Sequence, residues 1–133
     1  MEPIKRVLEF LDKAQTYYLA TVDGDKPRVR PFGTALIYNG RLYIQTGKVK
    51  AVSHQLAANP NAEICAFTGD TWLRLKGELV NDESIAPAAA MLEKMPMLKG
   101  MYAPGDGNMQ MLYFKNAEAE FCSFGKEPER FKL

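Results

Sequence analysis

The sequence is poor in the residues that build disulfide frameworks and metal sites. Its 133 residues include two cysteines and one histidine, and neither cysteine has a metal-spaced partner, which disfavours a zinc site. Cys65 and Cys122 each lie inside an apolar run, so we expect free, buried thiols without a catalytic role. No apolar run approaches the roughly 20 residues of a membrane span, and the first residues lack the basic-then-apolar pattern of a signal peptide. These absences predict a cytoplasmic protein without a membrane segment.

An excess of charge of one sign is also missing. The chain has 17 lysines and arginines against 16 acidic residues, a formal net charge of +1, which argues against a general affinity for nucleic acid. With 47% hydrophobic and 25% charged residues, the composition is that of one globular domain, and no repeat or low-complexity tract interrupts it. We therefore expect a single domain over residues 1–133 whose partners are small molecules rather than polyanions.

The spacing of apolar residues predicts a mainly β protein with a few helices. Helical spacing follows Pro3, whereas β-branched and aromatic runs between turn residues predict six or seven antiparallel strands. Gly77 interrupts the longest strand and is expected to be a bulge or bend. Because closure removes exposed strand edges, a small barrel is the economical architecture. The sequence predicts helices at 3–15, 49–58 and 86–94, and strands at 17–22, 62–67, 71–80, 110–115 and 119–124. It also predicts a hairpin over 27–45, turns at 23–26, 38–41, 68–70 and 116–118, and a tail at 125–133 that is polar apart from Phe131.

The hairpin carries a cluster of cations. Arg28 and Arg30 are two apart on an extended run, so they leave the same face about 7 Å from each other. An Asn-Gly pair at residues 39 and 40 is a strong hairpin signal, and the return strand ends at Lys48 and Lys50, where the helical period begins. A helix N-terminus flanked by lysines offers unpaired amides and a positive dipole end to a phosphate. The alternative is that these cations form the solvated face of an ordinary hairpin.

These residues also carry a resemblance to a known family. In order and spacing the sequence resembles the FMN-binding split barrels related to pyridoxamine 5′-phosphate oxidase. The segments that carry this resemblance are Pro27-Arg-Val-Arg-Pro31, Leu42-Tyr-Ile-Gln-Thr-Gly-Lys-Val-Lys50, Gln55-Leu-Ala-Ala-Asn-Pro60 and Trp72-Leu-Arg-Leu-Lys-Gly-Glu78.

The resemblance implies a six- or seven-stranded antiparallel split barrel of the FMN-binding type. It implies that the strand from Arg30 to Gly33 lies along the isoalloxazine ring, and that Thr46, Lys48 and Lys50 hold the phosphate of FMN. It also implies a homodimer with two flavin sites at the subunit boundary. The expected cofactor-binding residues are Arg28, Arg30, Pro31, Phe32, Gly33, Thr46, Gly47, Lys48, Lys50 and Trp72.

Two functions are compatible with this pattern. The first is an FMN-dependent oxidoreductase that acts on an unidentified small molecule, with a nicotinamide electron donor that docks transiently. The second is a non-enzymatic carrier or sensor that binds a flavin or a deazaflavin. An oligonucleotide-binding barrel is a weaker third reading, because the net charge is close to neutral.

Three further features have both a functional and a packing interpretation. His54 lies one helical turn beyond Lys50, where it either contacts the phosphate or sits on the surface. Trp72 either flanks the ring or packs in the core. The methionine-rich segment 91–111 either lines a pocket or subunit interface or packs flexibly beside the sheet. The Gly-Asp-Gly run within that segment follows no strand and fails the context test for a dinucleotide site.

Overall fold

The computed structural model describes residues 1–133 and contains eight strands, three α-helices and one 3₁₀ turn. The three predicted helices and the mainly β composition are confirmed, since Pro3 begins the first helix and Asn59 caps the second. The elements in chain order are α1 (Pro3–Ala14), β1 (Tyr17–Asp23), β2 (Lys26–Phe32), β3 (Leu36–Tyr38), β4 (Arg41–Gly47), α2 (Ala51–Ala58), β5 (Asn61–Thr68), β6 (Thr71–Asp82), α3 (Ile85–Lys94), the 3₁₀ turn (Pro96–Gly100), β7 (Met109–Ser123) and β8 (Glu129–Lys132).

The strands form one antiparallel sheet in the order β2-β1-β5-β6-β7-β4-β3, with β8 added to β7. The two edge strands, β2 and β3, are consecutive in the chain and are joined by Gly33–Ala35 alone, so the edges meet and the sheet rolls into a split barrel. Thr34 Oγ1 closes the seam, because it accepts a hydrogen bond from Gln45 N (2.9 Å) and donates one to Gln45 O (3.3 Å). The predicted hairpin over 27–45 is therefore corrected. The segment before the Asn-Gly turn forms two strands, β2 and β3, and only β3 pairs with β4.

A second correction concerns the predicted turn at 116–118. β7 runs without a break from Met109 to Ser123, and Asn116, with φ of 52°, lies in a bulge where two residues of β7 oppose Gly77 of β6. A Cβ on Gly77 would lie 3.0 Å from the Ala117 Cα, so the two backbones approach too closely for a larger residue. The predicted irregularity at Gly77 is therefore confirmed, whereas the Asn-centred signal marks the same bulge rather than a chain reversal.

The tail also differs from the prediction. Residues 129–132 form β8, which pairs with β7 through Ala119 and Phe131. Phe131 packs against Phe121 with ring centroids 6.1 Å apart, and the Arg6 guanidinium lies 4.0 Å from the Phe121 centroid. One aromatic side chain thus anchors a segment that otherwise reads as polar. With β8 and the short β3, the strand count is eight rather than six or seven.

Two apolar clusters hold β4 from both sides. The larger fills the barrel and includes Ile44 and Leu112, and the smaller lies under α3 and includes Tyr43 and Met111. β4 is therefore buried on both faces from Leu42 to Gly47, which gives its C-terminal end a fixed position. None of the helices combines the length and the apolarity that a membrane crossing requires.

The methionines and cysteines divide between core and surface. Met91, Met109 and Met111 are buried, whereas Met97 and Met101 are 67% and 69% exposed. Cys122 is buried as expected and Cys65 is exposed. The expectation of two buried thiols was therefore wrong for Cys65, because its position on β5 points away from the barrel interior, which its neighbours Ile64 and Ala66 face.

Candidate functional site

The site begins where β4 passes into α2, in the segment Thr46–Lys50, which we call the β4–α2 corner. Thr46 is 2% exposed, and its Oγ1 has no hydrogen-bond partner. Gln110, its neighbour on β7, has an unpaired and buried Oε1. Buried polar atoms are nearly always paired in proteins, so two adjacent exceptions leave hydrogen-bonding capacity for another molecule at this position.

Gly47 allows the loop before β7 to close on the corner. A Cβ at this position would lie 3.0 Å from Tyr102 Oη and 3.3 Å from Asn108 Oδ1. Asn108 accepts hydrogen bonds from the backbone amides of Lys48 (2.7 Å, to its carbonyl) and Val49 (3.3 Å, to its side chain). These two amides are consequently not free for a ligand, and Lys50 N donates to Gly47 O (3.0 Å). Helix geometry leaves the amides of Ala51 and Val52, at the start of α2, without an internal partner.

We predict that Gly47→Ala lowers the free energy of unfolding by about 1–3 kcal/mol, because the added methyl group overpacks the contact with Tyr102. The substitution Tyr102→Phe in the same background should recover part of this loss, since the hydroxyl oxygen is the nearest atom. Gly100→Ala is the matched control, because a Cβ there has open space around it. Denaturant unfolding of the four proteins measures the difference, and equal stabilities for Gly47→Ala and Gly100→Ala would contradict the close contact.

The two lysines of the corner have different surroundings. Lys48 Nζ pairs with Glu83 Oε2 at 2.9 Å, and Asn81 donates a hydrogen bond of 2.8 Å to the other oxygen of that carboxylate. These two donors, Asn81 first, hold the pKa of Glu83 below its usual value. Lys50 occupies the N-cap position of α2, is exposed and has no ion-pair partner. It is therefore the unpaired cation of the corner.

Arg30 is fixed by three acceptors. Its Nη1 donates to Thr21 Oγ1 (2.7 Å) and to Leu19 O (3.2 Å), and its Nη2 donates to Gln55 Oε1 (2.6 Å). Burial lowers the pKa of Arg30 from its high intrinsic value, and the group keeps its charge. Because Gln55 belongs to α2, these bonds tie β2 to the helix that begins at the corner.

The remaining residues predicted on β2 do not converge on one point. Arg28 Nε pairs with Asp23 at 3.0 Å and is exposed, so the two arginines are engaged by separate partners rather than aimed at one anion. Phe32 is half-buried against Tyr17, with ring centroids 6.0 Å apart, and Gly33 lies close to the backbone of Gln15. Pro31 is exposed on the edge strand.

Trp72 is not part of the corner within one chain. It is the second residue of β6 and aligns with Cys122 of β7, whereas Thr46 aligns with Gln110 at the opposite end of β7. Its ring packs on Phe124 at a centroid distance of 5.1 Å, on the face that points away from the barrel interior. We name this surface, which consists of Tyr18, Phe67, Trp72 and Phe124, the outer aromatic face.

His54 and a groove near the β1–β2 turn contribute little to the site. His54 is exposed on α2 and makes no side-chain hydrogen bond. A groove of about 740 Å³ runs between the β1–β2 turn and the bulge at Gly77, and of the corner and Arg30 contacts only Thr21 lines it. The sequence analysis missed Thr21, Gln55 and Asn108, which hold Arg30 and the corner, because no local pattern marks them.

The strand order defines an antiparallel split barrel, with a candidate site at the junction of β4 and α2. The profile of the pyridoxamine 5′-phosphate oxidase family matches residues 4–123, and the chain belongs to that family. The chain is similar to the crystal structure of a NimC/NimA family protein from Clostridium acetobutylicum, with 44% identity over 97% of this chain and 91% of that one and a TM-score of 0.92.

Two more distant structures share the fold. General Stress Protein 26 from Bacillus anthracis is 18% identical, with full coverage of both chains and a TM-score of 0.75. A pyridoxamine 5′-phosphate oxidase-related, FMN-binding protein from Nostoc punctiforme is 14% identical over 100% of this chain and 98% of that one, with a TM-score of 0.66. No curated protein matches the sequence. The predicted family and split-barrel fold are confirmed.

Proposed function

We propose that the protein binds FMN at the β4–α2 corner and uses it to transfer electrons to or from a small molecule. The observation that carries this proposal is the buried, unpaired hydroxyl of Thr46 beside the unpaired cation of Lys50. A phosphate monoester supplies acceptor oxygens for the hydroxyl and negative charge for the lysine. The family adds support, since one structure with the same fold is described as FMN-binding.

The corner fits the phosphate end of FMN in two respects. Lys50 has no competing carboxylate, and the first amides of α2, those of Ala51 and Val52, point out of the helix. Lys48 is a weaker contributor, because Glu83 already neutralises it. We assign the phosphate mainly to Thr46, Lys50 and the amides of α2.

We place the ring of FMN along the outer edge of β2. This strand ends the sheet order, so its outward backbone groups have no partner strand. The ring of FMN carries carbonyl and N–H groups on one edge, which match such a strand edge. When bound, FMN accepts and returns one or two electrons. The charge of Arg30, held in place by Thr21 and Gln55, stabilises negative charge on the nearby ring.

We further propose that the protein is a homodimer in which a second copy covers the outer aromatic face. Tyr18, Phe67 and Phe124 are 53%, 57% and 76% exposed in the single chain, which is unusual for clustered aromatic side chains. The barrel interior is filled by its own side chains, so a planar ring must lie outside and requires a second wall. Trp72 of the second copy is the residue that we assign to this wall.

The assignment of the phosphate predicts that Lys50→Gln weakens FMN binding roughly ten- to a hundredfold, because one charge-assisted contact is lost. Riboflavin lacks the phosphate, and its affinity should hardly change. Lys99→Gln, which removes an exposed cation on the 3₁₀ turn, is the matched control. Fluorescence titration of the wild type and the two variants with each flavin measures the six affinities. Equal losses for both flavins would indicate a disturbed fold, and no loss for either would place the phosphate elsewhere.

Turnover distinguishes the enzyme from the carrier. We expect the FMN-loaded protein to oxidise a reduced nicotinamide faster than free FMN does when an electron acceptor is supplied. Tight FMN binding without turnover would instead favour the carrier or sensor function, and a bound deazaflavin would identify a different cofactor at the same corner.

A further inference from the structure

A second cavity lies at the other end of the barrel, where β4 begins. Its volume is about 470 Å³, within the range of small-molecule pockets. The turn at Gly40 and Arg41 forms one side, and the bulged part of β7 at Lys115 and Asn116 forms the other. The cavity shares no residue with the β4–α2 corner, since Arg41 starts β4 and Gly47 ends it. It is therefore independent of the proposed FMN site.

The walls of this cavity combine apolar side chains with polar groups. Leu42 and Phe114, which belong to the barrel core, contribute to its floor, and Ile4, Val80 and Leu133 contribute to its sides. Tyr113 adds an aromatic surface, with the Arg41 guanidinium 4.2 Å from its ring centroid. Binding of a ligand with an apolar body would remove apolar surface of both the ligand and the cavity from water, which is favourable.

Two cations stand at the cavity without a counter-ion. No carboxylate lies within ion-pair distance of Arg41 or Lys115. Asp82 accepts hydrogen bonds from Ser84 N (2.9 Å) and Tyr43 Oη (2.7 Å), and these bonds, with a smaller contribution from the charge of Arg41, hold its pKa below the usual value. Glu78 likewise accepts one from Asn116 (3.0 Å). Positive charge beside an apolar wall is thus available to a ligand.

We propose that this cavity binds a small monocarboxylic acid with an apolar aliphatic or aromatic body. The carboxylate lies between Arg41 and Lys115, and the body rests on Leu42 and Phe114. Arginine presents a planar fork that matches a carboxylate, and lysine adds a second positive charge.

The test uses octanoate as the probe and octanol as its uncharged counterpart, each titrated into the purified full chain by calorimetry and by amide chemical shifts. Octanoate should bind more tightly than octanol and should shift the amides of residues 40–42 and 113–116. Arg41→Gln and Lys115→Gln should each weaken octanoate binding roughly three- to tenfold and leave octanol unchanged. Lys126→Gln is the control. Arg41, Lys115 and Lys126 are all exposed, so none of the three substitutions should disturb folding.

Several results would overturn the proposal. They are equal binding of octanoate and octanol, no octanoate binding at millimolar concentration, shifts at residues outside the cavity, or an equal loss in Lys126→Gln. FMN affinity, measured on the same variants, should stay constant. A parallel loss of FMN affinity would show that this cavity and the β4–α2 corner are not independent, and would contradict the assignment of the carboxylate to Arg41 and Lys115.

Discussion

Replacing Phe67 with aspartate is expected to dissociate the proposed dimer and to release FMN with it. Phe67 is 57% exposed in the single chain, so the substitution should not disturb folding. When a second copy covers this residue, the new carboxylate is buried without a partner, which costs several kcal/mol. We expect the dimer dissociation constant to rise roughly a hundredfold or more. Sedimentation at micromolar concentration, followed at a flavin wavelength, measures both the assembly and the bound cofactor.

Met97→Asp tests whether the dimer interface lies in the methionine-rich segment 91–111 instead of on the outer aromatic face. Met97 is 67% exposed on the 3₁₀ turn, away from the outer aromatic face, and its substitution should leave the dimer intact. Dissociation by Met97→Asp but not by Phe67→Asp would move the interface to the methionine-rich segment. A Phe67→Asp monomer that still holds FMN tightly would refute the shared site and leave the cofactor on one barrel.

Arg30→Met is expected to lower both the reduction potential of bound FMN and the stability of the protein. Removing a positive charge near the ring disfavours the anionic reduced form more than the neutral oxidised form. For a two-electron couple 30 mV corresponds to about 1.4 kcal/mol, so a loss of that size is measurable by redox titration. Leu19 O loses the side-chain donor of Arg30, and Gln55 Oε1 keeps only the hydroxyl of Thr21 as a donor, so we expect the free energy of unfolding to fall by about 1–3 kcal/mol.

Arg30→Lys is the matched control for the two effects. It keeps the charge and loses the fork that bridges Thr21 and Gln55, so the potential should stay near the wild-type value while the stability falls. A potential that is unchanged in Arg30→Met, with FMN still bound, would remove this arginine from the environment of the ring.

The sequence predicted the elements whose signals are local. The Asn-Gly pair at 39 and 40 forms the expected turn with positive φ at both residues, because few other pairs tolerate that conformation. Pro3 begins α1, and apolar alternation in β6 assigns Leu73 and Leu75 to the interior, where both are fully buried. The junction of β4 and α2 was also predicted from a local signal, because the change from strand to helical spacing at Lys48 and Lys50 occurs within a few residues.

The features that sequence analysis missed depend on contacts between distant segments. The seam between Thr34 and Gln45 and the bond between Arg30 and Gln55 join residues on separate elements, and no periodicity predicts such pairs. β8 forms because Phe131 packs against Phe121 of β7, although residues 129–132 lack an alternating apolar pattern. Asn116 predicts a turn but lies in a bulge, because both structures use a residue with positive φ.

The most direct test of the central proposal is the identity and amount of the cofactor that the purified protein retains. The visible spectrum should be that of an oxidised flavin, and mass measurement of the small molecule released by heat should identify FMN at one molecule per chain. FMN added to any cofactor-free fraction should restore the same spectrum. A colourless protein that fails to bind added FMN, or one that releases a different cofactor, would contradict the assignment of the β4–α2 corner to FMN.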